Sequence, residues 1–188
     1  MSYEQIEYEV GDAVATITLN RPDALNPLSP EMCSEILAAL KQAESDNGVR
    51  VVVLTGAGRG FSSGADVSGF AASLTGGEKP DLELGLKELF APIFQAQRSL
   101  EKPVIAAVNG PCVGISVALA LHADLVVAAE SAYFLLAFAK IGLAPDGAAV
   151  MAIARRAGAG RAAEMALLAD KIPAAQAQQW GLVNQVVA

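Results

Sequence analysis

The chain has 188 residues, enough for one domain with a real core, and a formal net charge of −7. That acidity argues against nucleic acid or an anionic membrane surface as the main partner, but it leaves room for a phosphorylated ligand held by local backbone N–H groups. With 53% apolar but only 5% aromatic residues, Ala, Val, Leu and Gly must do the packing, as in tightly layered α/β proteins.

In chain order, Met1 to Tyr8 has no basic region followed by an apolar run, so no signal peptide is read there. Ile6, Tyr8 and Val10 alternate with polar residues, Gly11-Asp12 makes a turn, and Ala13 to Leu19 reads as a second strand; together they predict a β-hairpin. Ser29-Pro30 is a helix start, followed by Met32, Ile36, Leu40 and Ala43 at helical spacing and a stop at Asn47-Gly48. Val51 to Thr55 is a continuous apolar and β-branched run, which predicts a strand buried on both faces, and a glycine-rich loop from Gly56 to Gly64 follows.

Residues 71 to 81 carry Gly76-Gly77 and Lys79-Pro80 with little hydrophobic pattern, the signature of a mobile surface loop. Leu82 to Leu100 is helical in pattern, with Pro92 expected to break or kink it. Val104 to Val108 is a buried strand ending at Asn109-Gly110. A helix is predicted near Gly114 to His122, then strands near Leu125 to Ala128 and Tyr133 to Leu136. Helices over Asp146–Ala157, Arg161–Ala169 and Ala174–Trp180 and a strand over Val183–Val187 complete the chain. Strands alternating with helices imply parallel pairing, an α/β class, and a single domain over 1–188. No apolar stretch reaches bilayer-spanning length unbroken, so a soluble cytoplasmic protein is expected. Cys33 and Cys112 stand in no metal-ligand spacing and read as small buried apolar residues.

The loop Gly56 to Asp66 is neither a dinucleotide fingerprint, since the third glycine would fall on Phe61, nor a P-loop. Gly60 to Gly64 does fit G-x-S-x-G, which raises a serine hydrolase with Ser62 as nucleophile and His122, the sole histidine, as base. Against this, Ser62 is not on the strand-to-helix turn that makes a nucleophile elbow, and His122 falls on an apolar helix. A second glycine-bearing turn, Asn109 to Ile115, follows the strand Val104–Val108. Two such turns can aim backbone N–H groups at one point as an oxyanion hole, or be tight turns and nothing more.

Several segments, in order, resemble the signatures of the crotonase (enoyl-CoA hydratase/isomerase) superfamily. They are Asn20-Arg21-Pro22 with Ala24-Leu25-Asn26, Phe61 to Asp66, Ala107 to Gly110, Ala123-Asp124-Leu125, Ile141 to Asp146, and Trp180 to Val183. The resemblance implies a spiral of β-β-α units, assembled as a homotrimer or dimer of trimers, acting on an acyl-coenzyme A thioester, with no cofactor beyond the coenzyme A of the substrate. It assigns the oxyanion donors to the N–H groups of Ala65 and Ile115, with Ile115 replacing the usual glycine and narrowing the site. Gly114 belongs to the same turn. Leu25 and Ser63, Gly64, Ala65 and Asp66 would hold the adenine and pantetheine.

In hydratases two glutamates orient water and manage the proton; the resemblance puts Ala118 and Phe138 at those positions, and neither can transfer a proton. Asp146 remains. By residue type it is a favoured helix cap and turn former. By resemblance, several superfamily members place a working aspartate at this turn, and Phe138 to Asp146 is most similar to the ring-epoxide phenylacetyl-CoA isomerase type. The expected activity is therefore double-bond isomerisation with Asp146 as proton shuttle, in fatty-acid or phenylacetate-type catabolism. A hydratase in name or activity and a non-catalytic acyl-CoA binder stand as alternatives. Superfamily members usually run several helical turns further, so C-terminal helices that cover the acyl pocket are expected to be missing.

Overall fold

The computed structural model describes residues 3–68 and 85–188, so the loop expected at 71–81 and the start of the helix expected from Leu82 lie outside the described residues. The chain opens as the predicted hairpin, β1 (Ile6–Gly11) paired antiparallel to β2 (Val14–Leu19). Its turn is Asp12-Ala13, both left-handed at φ 51° and 63°, one residue later than expected. Two consecutive positive φ values give the turn whose twist matches that of the flanking strands.

β3 (Val51–Gly56), β4 (Val104–Val108), β6 (Leu125–Ala129) and β9 (Gln185–Val187) continue the sheet in the order β1-β2-β3-β4-β6-β9, every pairing after the hairpin being parallel. One face packs into the core through Ile17, Leu19, Val52, Leu54, Ala106, Val108 and Val126. The other face of β3 is half-buried rather than sealed. A smaller sheet contains β5 (Pro111–Val113), β7 (Tyr133–Leu135) and β8 (Ile172–Pro173). Single parallel bridges, Ser62 to Cys112 and Leu28 to Ala65, extend its line. The chain thus passes repeatedly from a strand of the large sheet, through a short bridge or strand of the small one, to a helix. This is the expected β-β-α spiral.

α1 (Pro30–Ser45) begins as the sequence predicts: Ser29 Oγ accepts from the Met32 N–H at 3.1 Å, and Pro30 occupies the first helical position. Met32, Ile36, Ala39, Leu40 and Ala43 make its buried stripe. α2 (Ala91–Ser99) follows a π-helical turn over Leu86–Phe90. The regular α-helix is thus interrupted where Pro92 is expected to break or kink it: Pro92 stands in the first turn of α2, and the π-helical turn lies directly before it. α3 (Ile115–Leu121) is buried on all sides.

α4 (Ala149–Ala157) starts three residues later than expected, because Gly147 and Ala148 are both left-handed, at φ 58° and 56°. α5 (Ala159–Leu168) starts two residues early, and α6 (Ala174–Gln179) falls close to its expected span. The last strand is β9, shorter than the expected Val183–Val187; Leu182 and Val183 are core residues ahead of it. One contiguous core runs from Ile6 to Val183.

Candidate active site

The site starts from two side-chain amides, Asn26 buried and Asn109 half-buried. Asn26, fully buried and left-handed at φ 52°, accepts from the Arg21 N–H through Oδ1 at 2.8 Å. Its Nδ2 donates to the carbonyls of Ala57, Gly60 and Phe61 at 3.0, 2.9 and 3.2 Å. Asn109, at the end of β4, grips the same loop: Nδ2 donates to Gly58 O (3.0 Å) and Gly60 O (3.3 Å), and Oδ1 accepts from the Gly56 N–H (3.3 Å). Two side chains thus satisfy carbonyls that no strand partner reaches, as buried polar groups require. Both residues sit in segments singled out from the sequence, yet their clamping role carried no sequence signal, because the partners lie 31 to 53 positions away.

Held in this way, the loop runs beside β5. The Val113 N–H donates to Ser62 O at 3.0 Å, and the buried Ser116 hydroxyl bridges Ser62 O (3.0 Å) and Val113 O (2.7 Å) while accepting from the Val113 N–H (2.8 Å). The closest approach is between Gly64 and Gly114. A Cβ on Gly64 would lie 2.7 Å from Val113 O and 3.6 Å from Gly114 Cα, and both glycines are left-handed, at φ 98° and 61°. Only glycine at 64 permits this approach.

Ala65 and Ile115 are the residues that follow these two glycines. The Leu28 N–H donates to Gly64 O (2.8 Å) and Leu28 O accepts from the Asp66 N–H (3.1 Å). The bridge therefore uses the groups on either side of Ala65 and turns its own N–H away from Leu28; the residue is exposed. The Ile115 N–H belongs to the unpaired first turn of α3, after Gly114 has donated to Leu135 O at 2.8 Å. Among the described residues neither N–H has a hydrogen-bond acceptor. The Ile115 side chain is buried in the core.

Asp146 follows Pro145 on the turn before α4. The cap reading fails: Ala148 is the cap residue of α4, and no side chain bonds there. Asp146 Oδ1 is buried without a hydrogen-bond partner among the described residues, and burial raises the carboxyl above its ordinary pKa, opposed only by its own backbone N–H. A Cβ on the adjoining Gly147 would lie 3.1 Å from Ala118 Cβ. Ala118 lies three residues after Ile115 on α3, hence on the same face. The turn bearing Asp146 thus rests against the helix that begins at Ile115.

Of the residues expected to hold the adenine and pantetheine, Leu25 is half-buried and left-handed, and its carbonyl accepts from the Ser63 N–H at 2.8 Å, so the two share one ledge. The Asp66 carboxylate is engaged internally: it accepts from Ser68 Oγ (2.6 Å) and Ser68 N (3.1 Å) and pairs with Arg21 Nη1 at 2.7 Å. These bonds, Ser68 first, hold its pKa down at about 2. Asp66 therefore acts as a latch between two loops.

The serine hydrolase does not survive the geometry. Ser62 is fully buried and its Oγ accepts from the Gly64 N–H at 3.2 Å, while His122 Nδ1 lies 2.8 Å from Ala118 O on its own helix. Both cysteines are free and buried, their thiols pushed up to about 12 by desolvation, as the plain reading of them required. Among the described residues no cluster of three or more His, Cys, Asp or Glu is placed to hold a metal, and no helix is long and apolar enough to cross a membrane.

Residues 9–188 match the family described as enoyl-CoA hydratase/isomerase. The chain is 43% identical over 184 residues to the 1,2-epoxyphenylacetyl-CoA isomerase of Escherichia coli (strain K12), covering 98% of this chain and 70% of that protein. Among solved structures, an enoyl-CoA hydratase from Mycobacterium avium subsp. paratuberculosis K-10 superposes with a TM-score of 0.89 at 40% identity, over 100% of this chain and 72% of that one. An enoyl-CoA hydratase from Polaromonas sp. JS666 does so with a TM-score of 0.89 at 33% identity, over 97% and 70%. On sequence and fold alike, the chain belongs to the enoyl-CoA hydratase/isomerase family of the crotonase superfamily.

Proposed function

We propose that the protein isomerises the double bond of an enoyl-CoA thioester, with Asp146 as its single proton shuttle. The observation that carries this reading is the Asp146 carboxylate oxygen beside α3, buried and unpartnered among the described residues; the family resemblance adds that Ala118 and Phe138 stand in for the two hydratase glutamates. The identity with an epoxyphenylacetyl-CoA isomerase supports it. In the proposed reaction the N–H groups of Ala65 and Ile115 donate to the thioester carbonyl oxygen. With a 3-enoyl-CoA, Asp146 removes a proton from C2, and that C–H electron pair forms the C1=C2 bond of a dienolate as the carbonyl π pair moves onto the oxygen. The protonated Asp146 then returns the proton at a different carbon as the carbonyl re-forms. A carboxylate with a raised pKa is suited to both halves of this exchange.

The adenine and pantetheine would lie along the Leu25–Ser63 ledge and the Gly64–Ala65 segment. The protein is proposed to work as a cytoplasmic homotrimer or dimer of trimers in fatty-acid or phenylacetate-type catabolism. The exposed apolar side chains of Ile141, Met151, Leu167 and Leu168 favour assembly, which sedimentation would read.

The test mixes wild type and Asp146→Asn with 3-enoyl-CoA and phenylacetate-pathway thioesters in D₂O, read by mass spectrometry. Deuterium uptake or double-bond migration in wild type alone is expected. Water addition across a 2-enoyl-CoA would make the protein a hydratase, and tight thioester binding with silence from both proteins would make it a non-catalytic binder.

A further inference from the structure

Among the described residues, no other residue hydrogen-bonds the Asp146 side chain to fix its direction, so its position must come from the packing of the turn. Gly147 is the tightest point of that turn. A Cβ there would meet Phe94 Cε2 at 2.7 Å and Cζ at 3.1 Å, as well as Ala118 Cβ, so the turn is gripped between the Phe94 ring from α2 and α3. Phe94 is itself held. Its ring stacks on His122 with centroids 4.9 Å apart and planes inclined by 22°, and His122 is tied by Nδ1 to Ala118 O at 2.8 Å. Ala118, His122, Phe94 and Gly147 thus form a closed ring of contacts under the turn. Two successive left-handed residues, one of them the non-glycine Ala148, are unfavourable unless the surroundings impose them.

We propose that Phe94 is a positioning residue for proton transfer: its ring, stacked on His122 and pressed against Gly147, sets the turn that carries Asp146 and keeps water from that carboxylate. This rests on Asp146 being the proton shuttle. A pocket of about 230 Å³ opens beside the ring, lined by Phe94, His122, Gly147, Ala148 and the exposed Gln95 and Arg98. Truncating the ring would join that space to the underside of the turn and admit solvent. Among the described residues, the titratable and charged groups that line this pocket or act on its histidine are His122 at the end of α3, Arg98 on α2, and Arg155 and Arg156 on α4. The three arginines act on His122, whose pKa is lowered first by burial. The upward shift at Asp146 comes from burial, with none of these charges among its causes.

The experiment compares wild type, Phe94→Ala and Phe94→Leu by thermal unfolding, by kcat and KM for the proton-transfer reaction, and by carboxyl-¹³C NMR titration of Asp146, assigned with Asp146→Asn. In Phe94→Ala, kcat falls on the order of tenfold to a hundredfold, with KM within about twofold. The Asp146 titration moves down towards the ordinary aspartate range, and Phe94→Leu, which refills the space, recovers part of both effects. If Phe94→Ala does not fold, Phe94→Leu carries the same comparison against wild type. A lowered melting temperature with kcat and the Asp146 titration unchanged would make Phe94 mere core filling and overturn the proposal. If the titration moves but Asp146→Asn keeps full exchange activity, the packing role stands and the proton-shuttle reading falls.

Discussion

Asp146→Asn is expected to make the protein more stable at neutral pH while removing its activity. The substitution keeps the shape of the side chain and deletes only the charge. In the wild type Oδ1 is buried without a partner and the carboxyl pKa is raised by desolvation, so folding opposes ionisation. Below the ordinary pKa of 3.8 the carboxyl is neutral in both folded and unfolded chains and the charge costs nothing. Between that value and the raised folded one the native state binds more protons than the unfolded state, so stability declines as pH rises through the window. Above the folded value the full cost persists. The amide keeps a polar atom in the same buried place, so only the cost of the charge is relieved, and the partial solvent access of this residue holds the expectation to about 1 kcal/mol. For a chain of this size that is roughly 2–4 °C in Tm. Circular dichroism melts of both proteins from pH 3.5 to pH 8 should coincide at the acid end and separate with rising pH, the mutant melting higher. A wild type that melts higher at neutral pH would refute the reasoning, because it would mean the carboxylate has a partner in solution.

Asn26→Ala takes the side-chain partner from the buried Phe61 carbonyl and the part-buried Arg21 N–H and Ala57 carbonyl, while Gly60 O keeps Asn109, and is expected to cost about 3 kcal/mol, near 10 °C in Tm, checked by thermal melts. Gly64→Ala places a Cβ 2.7 Å from Val113 O, so the loop and β5 must part. If the Ala65 N–H is a carbonyl donor as proposed, its displacement should lower kcat about 10²- to 10³-fold while the thioester still binds, as steady-state kinetics and calorimetry would report. Asp66→Asn removes the Arg21 latch and is expected to destabilise by about 1 kcal/mol at neutral pH. Because the Asp66 pKa is depressed, its contribution is present above the ordinary value and fades as pH falls from 3.8 towards about 2, so the melting curves of mutant and wild type should converge over that interval.

Elements with their own local signal were legible in the sequence. The apolar alternation of β2, the β-branched run of β3, and α1 with its Ser29 cap and Pro30 all fall where pattern and capping place them. Elements defined by their partners were not. Pro111–Val113 reads as part of a turn and is a strand only because Tyr133–Leu135 lies beside it, and Ile172–Pro173 is two residues long. The start of α4 was misplaced because nothing in its side chain marks Ala148 as left-handed; contact with Phe94 and Ala118 fixes the turn from outside. The same distinction holds for the site. Segment order pointed to residues 65, 115 and 146, but the Gly64–Gly114 contact, the Asn26 and Asn109 clamps and the Arg21–Asp66 pair join positions about 30 to 50 apart, and single-chain spacing does not encode them.

The winding of the chain also governs when this site can come into being during folding. Residues 26, 65, 115 and 146 sit on successive turns of the spiral; bonds from the Ser63 N–H to Leu25 O and from the Val113 N–H to Ser62 O join the first three, and the last packs on α3 at Gly147. No one coil contains all of the proposed site residues, so on that assignment activity requires the last loop to have closed on the one before it. Such dependence on distant partners slows folding, and it makes turnover a stringent report of completion. A refolding chain should recover its helical signal well before it recovers its first measurable proton exchange.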